Sequence, residues 1–219
     1  MRAKEFILED VDPSAQFKQI ISTLEIECAP YLKEIGGVVN ALRHYPLYRG
    51  LPANVVTVNT PCREITVNQT RAPMDTPVAV HRLIDSWFLH NKGANFRSKS
   101  IFATGDRNAA MGYGQPAIVI PIDEYEYCWS PSYRDLYDQL TKDARINGKA
   151  ANSINQNIIT LMSNPQHLDK LLMDGEYRVN RDIMSAIESN NEIMISCQAA
   201  YVISDQWIRD MIRGGILGI

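Results

Sequence analysis

Apolar residues recur at helical intervals from the start of the chain. Phe17, Ile20, Ile21, Leu24, Ile26 and Cys28 follow Pro13-Ser14 and predict a first helix. Pro30 interrupts the pattern, and a second helical stretch from Tyr31 to Ile35 stops at Gly36-Gly37. After another turn or two of helix, Tyr45-Pro46-Leu47-Tyr48-Arg49 reads as a strand. Two β-rich runs come next, Val55-Val56-Thr57-Val58 and Glu64-Ile65-Thr66-Val67. Asp75-Thr76-Pro77 predicts the start of a helix running from Val78 to about His90, with Asp75 or Thr76 as its cap.

Further on, Lys99–Thr104 predicts a strand and Asp106–Met111 a short helix. Ala117–Ile122 and Tyr125–Ser130 predict two more strands. Residues 132–188 read as largely helical, broken at Asn164-Pro165 and looped near Asp174-Gly175. Glu192–Ser196 and Ala200–Ile203 predict a last strand pair, and a short amphipathic helix spans about Gln206–Ile212. There is no internal repeat or low-complexity linker. Helices alternating with short strands predict an α+β fold, with helices over 1–41 and a helical insertion over 132–188 before the last strand pair.

Composition narrows this only coarsely. The 219 residues suit one domain, and the 45% hydrophobic and 21% charged content is that of a globular protein. A formal charge of −3 leaves no global footprint for nucleic acid or an anionic membrane. No apolar run approaches the roughly 20 residues of a membrane span, and the first ten residues lack a signal-peptide core. Cys28, Cys62, Cys128 and Cys197 are dispersed without a CxxC pair, which predicts buried free thiols and a cytoplasmic protein.

Three short stretches place a reactive group beside an apolar run. Leu47-Tyr48-Arg49-Gly50 carries a guanidinium, suited to phosphate oxygens, and a glycine that would let backbone approach a ligand. Phe102-Ala103-Thr104-Gly105-Asp106 carries a hydroxyl at a strand-to-helix junction. Asn190-Asn191-Glu192-Ile193-Met194-Ile195 opens a strand with a carboxylate that could stabilise a positive sugar carbon or hold a ribose hydroxyl. Each has a plainer reading: a surface ion pair for Arg49, a helix cap and turn at Gly105-Asp106, an exposed strand end for Glu192. Gly112-Tyr113-Gly114 lacks the lysine and spacing of a phosphate loop and reads as a helix stop. His44, His81, His90 and His167 have no metal-ligand spacing, so no metal site is expected. His81 and Asp85, at i and i+4, read as a surface pair or helix staple. Glu124 and Glu126 read as an exposed turn or edge, and Tyr125, Tyr127, Trp129, Tyr133 and Tyr137 as packing between a strand and the next helix.

In order, the three stretches resemble the mono-ADP-ribosyltransferase family of bacterial toxins and phage-encoded enzymes. That family carries an arginine on an early strand, a Ser-Thr-Ser element on a later one and a glutamate opening a late strand. Arg49 resembles the first element, Thr104 the middle of the second with both flanking serines replaced, and Glu192 the third. The stretch from Arg97 to Ser130 also resembles uncharacterised phage proteins of this type, and the resemblance spans roughly residues 42–204. The interval from Thr104 to Glu192 is longer than in compact members, which the helical insertion accounts for.

The resemblance implies a single ADP-ribosyltransferase-like domain over 1–219, a split β-sandwich that consumes NAD. Glu192, Arg49 and Thr104 would be catalytic, and Tyr48, Arg49, Gly50, Phe102, Thr104 and Tyr113 would contact NAD. The acceptor would be a host protein or nucleic acid, in the host cytoplasm if the chain is phage-encoded. Asn190 stands where arginine-modifying members have Glu and some others Gln, which argues against an arginine acceptor. Oligomeric state is left open. The alternatives are a catalytically silent binding or inhibitory module of the same fold, and an unrelated α+β phage accessory protein.

Overall fold

A computed structural model describes residues 12–57, 59–71 and 75–216. The chain opens with α1 (Pro13–Glu27), started by the Asp12 carboxylate, which accepts from the Ser14 amide. α2 (Ala29–Ile35) follows after Cys28 and ends at Gly36, whose φ of 83° is the left-handed cap that glycine adopts without steric cost. A five-residue π-helical turn (Asn40–His44) leads to β1 (Tyr48–Leu51). The remaining strands are β2 (Cys62–Thr66), β3 (Ser100–Ala103), β4 (Gln115–Pro121), β5 (Glu126–Trp129), β6 (Arg178–Val179), β7 (Ile193–Ser196) and β8 (Ala199–Ser204). The helices between and after them are α3 (Val78–Lys92), α4 (Arg107–Met111), α5 (Leu136–Asn147), α6 (Ile154–Met162), α7 (Pro165–Asp174), α8 (Ile183–Glu188) and α9 (Asp205–Arg213).

The strands form two antiparallel four-stranded sheets, ordered β1-β4-β8-β2 and β3-β7-β5-β6. The chain crosses between the sheets four times, between β2 and β3, β3 and β4, β4 and β5, and β7 and β8. The last two connections are short, so the sheets are held close there. Side chains alternate across each strand. Ile101, Ala103, Tyr127, Trp129, Ile193 and Ile195 turn inward and share one core with the first sheet, α1, α2 and α9. Cys128 and Met194 turn the other way, with Phe102 packed beside them, into a second core made with Val80, Ile84, Phe88, Leu140, Ile158, Leu172 and Tyr177. The β3-β7-β5-β6 sheet is therefore apolar on both faces, and the helices of the insertion cover the outer one.

Several sequence expectations need correcting. Val55-Val56-Thr57 is a turn and bend, not a strand, and Val58 lies outside the described residues. The Val55 amide donates to the Pro52 carbonyl and the Thr57 amide to that of Thr60, so local turns take the groups a ladder would have used. Val56 is buried all the same. α3 begins after Pro77 with no side-chain cap, so neither Asp75 nor Thr76 plays that part. The insertion over 132–188 is not wholly helical, because β6 within it extends the second sheet alongside β5. Glu192 precedes β7 rather than opening it: its amide donates to the Arg134 carbonyl (2.8 Å) and not to a neighbouring strand.

Candidate functional site

The three reactive stretches converge because their strands are neighbours. Tyr48 and Thr104 exchange two backbone hydrogen bonds (2.7 and 2.9 Å), a bridge that ties β1 of the first sheet to the end of β3 in the second. β3 in turn pairs with β7, and extending the Ala103–Ile193 register by one step sets Thr104 opposite Glu192. Residues far apart in the chain are thereby brought to one end of the junction between the sheets.

Arg49 reaches across it. Its Nη1 donates to the Phe102 carbonyl (2.9 Å), and the residue is half-buried and forms no ion pair among the described residues. Burial holds its pKa below the ordinary arginine value. Gly50 serves packing against α4. A Cβ there would lie 2.2 Å from the Ala110 carbonyl oxygen and 2.8 Å from Tyr113, so the missing side chain lets the end of α4 sit on β1.

Thr104 acts on the loop that presents the carboxylate. Its hydroxyl donates to the Asn190 carbonyl (2.9 Å) and accepts from the Asp106 amide (3.1 Å). Asn190 has φ of 60°, a left-handed conformation that asparagine tolerates better than most residues. Asn191 Nδ2 donates to the Ser130 carbonyl (2.8 Å), fixing the next residue of the same loop. Gly105 packs beneath it, and a Cβ there would fall 1.9 Å from the Ile187 carbonyl oxygen. Gly105→Ala is accordingly expected to displace this loop at a cost of about 1–3 kcal/mol, measurable by urea unfolding. A neutral result would mean the contact relaxes freely. Asp106 caps α4, as its sequence predicts, and also pairs with Arg134 (2.9 Å).

Glu192 is held by a residue outside the three stretches. Arg97 Nη1 lies 2.8 Å from its Oε1, and the two side chains are 6% and 19% exposed. Burial raises the Glu192 pKa above the ordinary carboxylate range, and the opposing pull of Arg97 does not fully cancel this. Arg97 is itself positioned by α3. Asp85 Oδ1 accepts from the Arg97 and Ser98 amides (3.0 and 3.2 Å), and Oδ2 accepts from the Ser98 hydroxyl (2.5 Å) and Asn95 Nδ2 (3.1 Å). His81 and Asp85 are both buried, so they are no surface pair. Asp85 anchors the loop that delivers Arg97, while among the described residues His81 Nδ1 has no hydrogen-bond partner.

A third guanidinium completes the cluster. Arg71 lies 3.8 Å from the centroid of the Phe102 ring and Arg97 4.8 Å from it, so two cations cover that ring. The Arg71 amide donates to the Ser98 carbonyl (2.9 Å), which ties it to the Arg97 loop. Burial, then Arg97, then Arg49 lower its pKa to about 10, and it stays protonated at neutral pH. Neither Arg71 nor Arg97 stands in the three stretches, and their only signal was the spacing of an arginine before each of two elements, α3 and β3.

Of the other expected contacts, Tyr113 is on the rim and Tyr48 is not in the cluster. Tyr113 is exposed, and burial, then Asp135, then Glu192 raise its pKa. Tyr48 alternates with Arg49, and its pKa is raised by burial and by Asp205, with Arg107 opposing. It therefore turns to the other face of β1 and packs against the main core, while the buried Asp205 pairs with Arg107 (2.7 Å) and Arg209 (3.2 Å). Tyr125, just before β5, and Tyr127 within it are packing residues: their rings stack 6.1 Å apart and both donate to Glu34. Two surface hollows, one of about 450 Å³ lined by Phe17, Ile21 and Ile216, run along α1 and α2 and include no residue of the arginine cluster.

Among the described residues, no helix is long and apolar enough to cross a membrane. Comparison with protein-family models, curated proteins and solved structures finds no match to this chain.

Proposed function

We propose that the chain is an NAD-dependent mono-ADP-ribosyltransferase acting on a macromolecular acceptor. The observation that carries this reading is the adjacency of the Arg49, Thr104 and Glu192 strands, secured by the Tyr48–Thr104 bridge and the β3–β7 register. A cation for pyrophosphate oxygens and an acid for a sugar carbon then stand at one end of the same junction. In the reaction the bond between the ribose anomeric carbon and the nicotinamide nitrogen breaks, and its electron pair leaves with neutral nicotinamide. The acceptor's nucleophile bonds to that carbon and gives up its proton.

Glu192 would stabilise the positive charge that builds on the ribose, a role that needs an ionised carboxylate fixed in place. Arg97 supplies that fixing where the resembled family uses a serine beside the threonine. Arg49 would hold the diphosphate, and Thr104 would act at one remove, through the Asn190 carbonyl. Tyr48 has no part in this arrangement.

Release of nicotinamide from labelled NAD, alone and with cell lysate, tests the reading. Arg49→Lys is expected to raise KM for NAD about tenfold while leaving kcat within threefold, because a lysine keeps the charge and loses bidentate geometry. No nicotinamide release under any acceptor condition would overturn the reading. A second one, a silent binding module, is favoured by the Arg97–Glu192 ion pair, which already occupies the carboxylate. Such a module would bind NAD and release no nicotinamide.

A further inference from the structure

We infer that Arg71 is a further ligand-contacting cation, beside Arg49, of a diphosphate subsite that the two form with Arg97 around Phe102. The three guanidiniums differ in how they are engaged. Arg49 Nη1 is committed to the Phe102 carbonyl and Arg97 Nη1 to Glu192. Arg71 rests on the Phe102 ring and, among the described residues, forms no ion pair. Contact with a neutral ring is worth about 0.5–2 kcal/mol. Charge-assisted hydrogen bonds to phosphate oxygens, roughly twice as strong as neutral ones, would replace it favourably.

The charge balance points the same way. Arg71 feels Arg97 and Arg49 as repelling neighbours more strongly than it feels Glu192 as an attracting one, with Asp75 the weakest of the four. The three guanidiniums thus repel one another around Phe102, opposed by Glu192 and more weakly by Asp75, while the Asp85 carboxylate is taken up by the Arg97 and Ser98 amides. Arg97 is 5% exposed, and its Nε is buried without a hydrogen-bond partner among the described residues. A ligand with two or more negative charges on adjacent groups relieves the repulsion, whereas a single weak anion would leave most of it. That chemistry is a diphosphate or its esters.

The subsite deepens the NAD reading but does not depend on it, since anion binding would persist in a chain that transfers nothing. Titration calorimetry with inorganic pyrophosphate tests it directly. The whole chain is expected to bind pyrophosphate at least tenfold more tightly than acetate. Arg71→Gln is expected to weaken pyrophosphate binding tenfold or more while the melting temperature without ligand stays within a few degrees. Arg71→Lys is expected to fall between the two. Glu192→Gln is expected to bind pyrophosphate as well as or better than the parent chain, since it removes the opposing negative charge. No pyrophosphate binding by the parent chain, or equal binding by Arg71→Gln, would overturn the inference. Pyrophosphate binding lost in Arg71→Gln, in a chain that never releases nicotinamide, would sink the transferase reading and leave the subsite standing.

Discussion

Glu192→Gln is expected to lower nicotinamide release by a hundredfold or more while leaving the chain folded. The substitution keeps an oxygen where Arg97 Nη1 now donates at 2.8 Å, so the loop from Ser189 to Glu192 retains its anchor. What disappears is the negative charge. Removing one preorganised group of this kind typically costs about 2.7–4 kcal/mol of transition-state stabilisation, a hundred- to a thousandfold in rate. The fold should lose only about 1–2 kcal/mol, the difference between a charge-assisted hydrogen bond and a neutral one. Turnover with labelled NAD, measured beside a urea titration, separates the two effects. Unchanged turnover in a folded variant removes Glu192 from the chemistry.

If the transferase reading holds, the parent chain should also carry the mark of a buried acid in its pH profile. Because burial raises the Glu192 pKa, the acid limb of the rate should lie above the ordinary glutamate value of about 4.3. An acid limb at or below that value would contradict the role.

Arg97→Leu is expected to be the most destabilising single change at the site. It leaves the Glu192 carboxylate, only 19% exposed, without the guanidinium that now pairs with it. Breaking a buried ion pair from one side commonly costs about 3–5 kcal/mol. The pH dependence distinguishes this cause from simple loss of packing. Arg97 is the main influence holding the Glu192 pKa down, so its removal lets burial raise that pKa further. A carboxyl whose folded pKa exceeds its unfolded value binds its proton more tightly when folded. Its contribution to stability therefore improves as pH falls through the raised folded value and levels off below the unfolded one. The deficit of Arg97→Leu should thus be largest at neutral pH and shrink on acidification. Arg97→Leu combined with Glu192→Gln should lose less than the two single variants added together. A deficit that does not change with pH would assign the loss to packing alone.

Much of the fold was legible from local pattern. The periodic apolar positions from Phe17 to Leu24 located α1, the cap at Asp106 fixed the start of α4, and the break at Asn164-Pro165 marked the junction before α7. These are short-range effects, written within one turn of helix. The reading of Val55–Val58 failed because β-branched residues describe a pleated surface only if a partner strand is present, and turn hydrogen bonds had already taken the backbone groups of Val55 and Thr57. At the site, Arg49, Thr104 and Glu192 were visible because each interrupts an apolar run. The roles of Arg71 and Arg97 were not, because a buried cation in a loop looks like any surface arginine until its neighbours are known, and Asp85 was read as half of a surface pair.

The amino-acid sequence alone determined the order and type of most elements, together with the alternation that makes the β3-β7-β5-β6 sheet apolar on both faces. Those properties depend on residues within a few positions of one another. The tertiary structure decided that Arg97, rather than a hydroxyl beside Thr104, supports Glu192, and that Tyr48 packs against the main core. It also decided that three guanidiniums meet around Phe102. Such choices are made by strand register and burial, and both arise only when distant segments pack together.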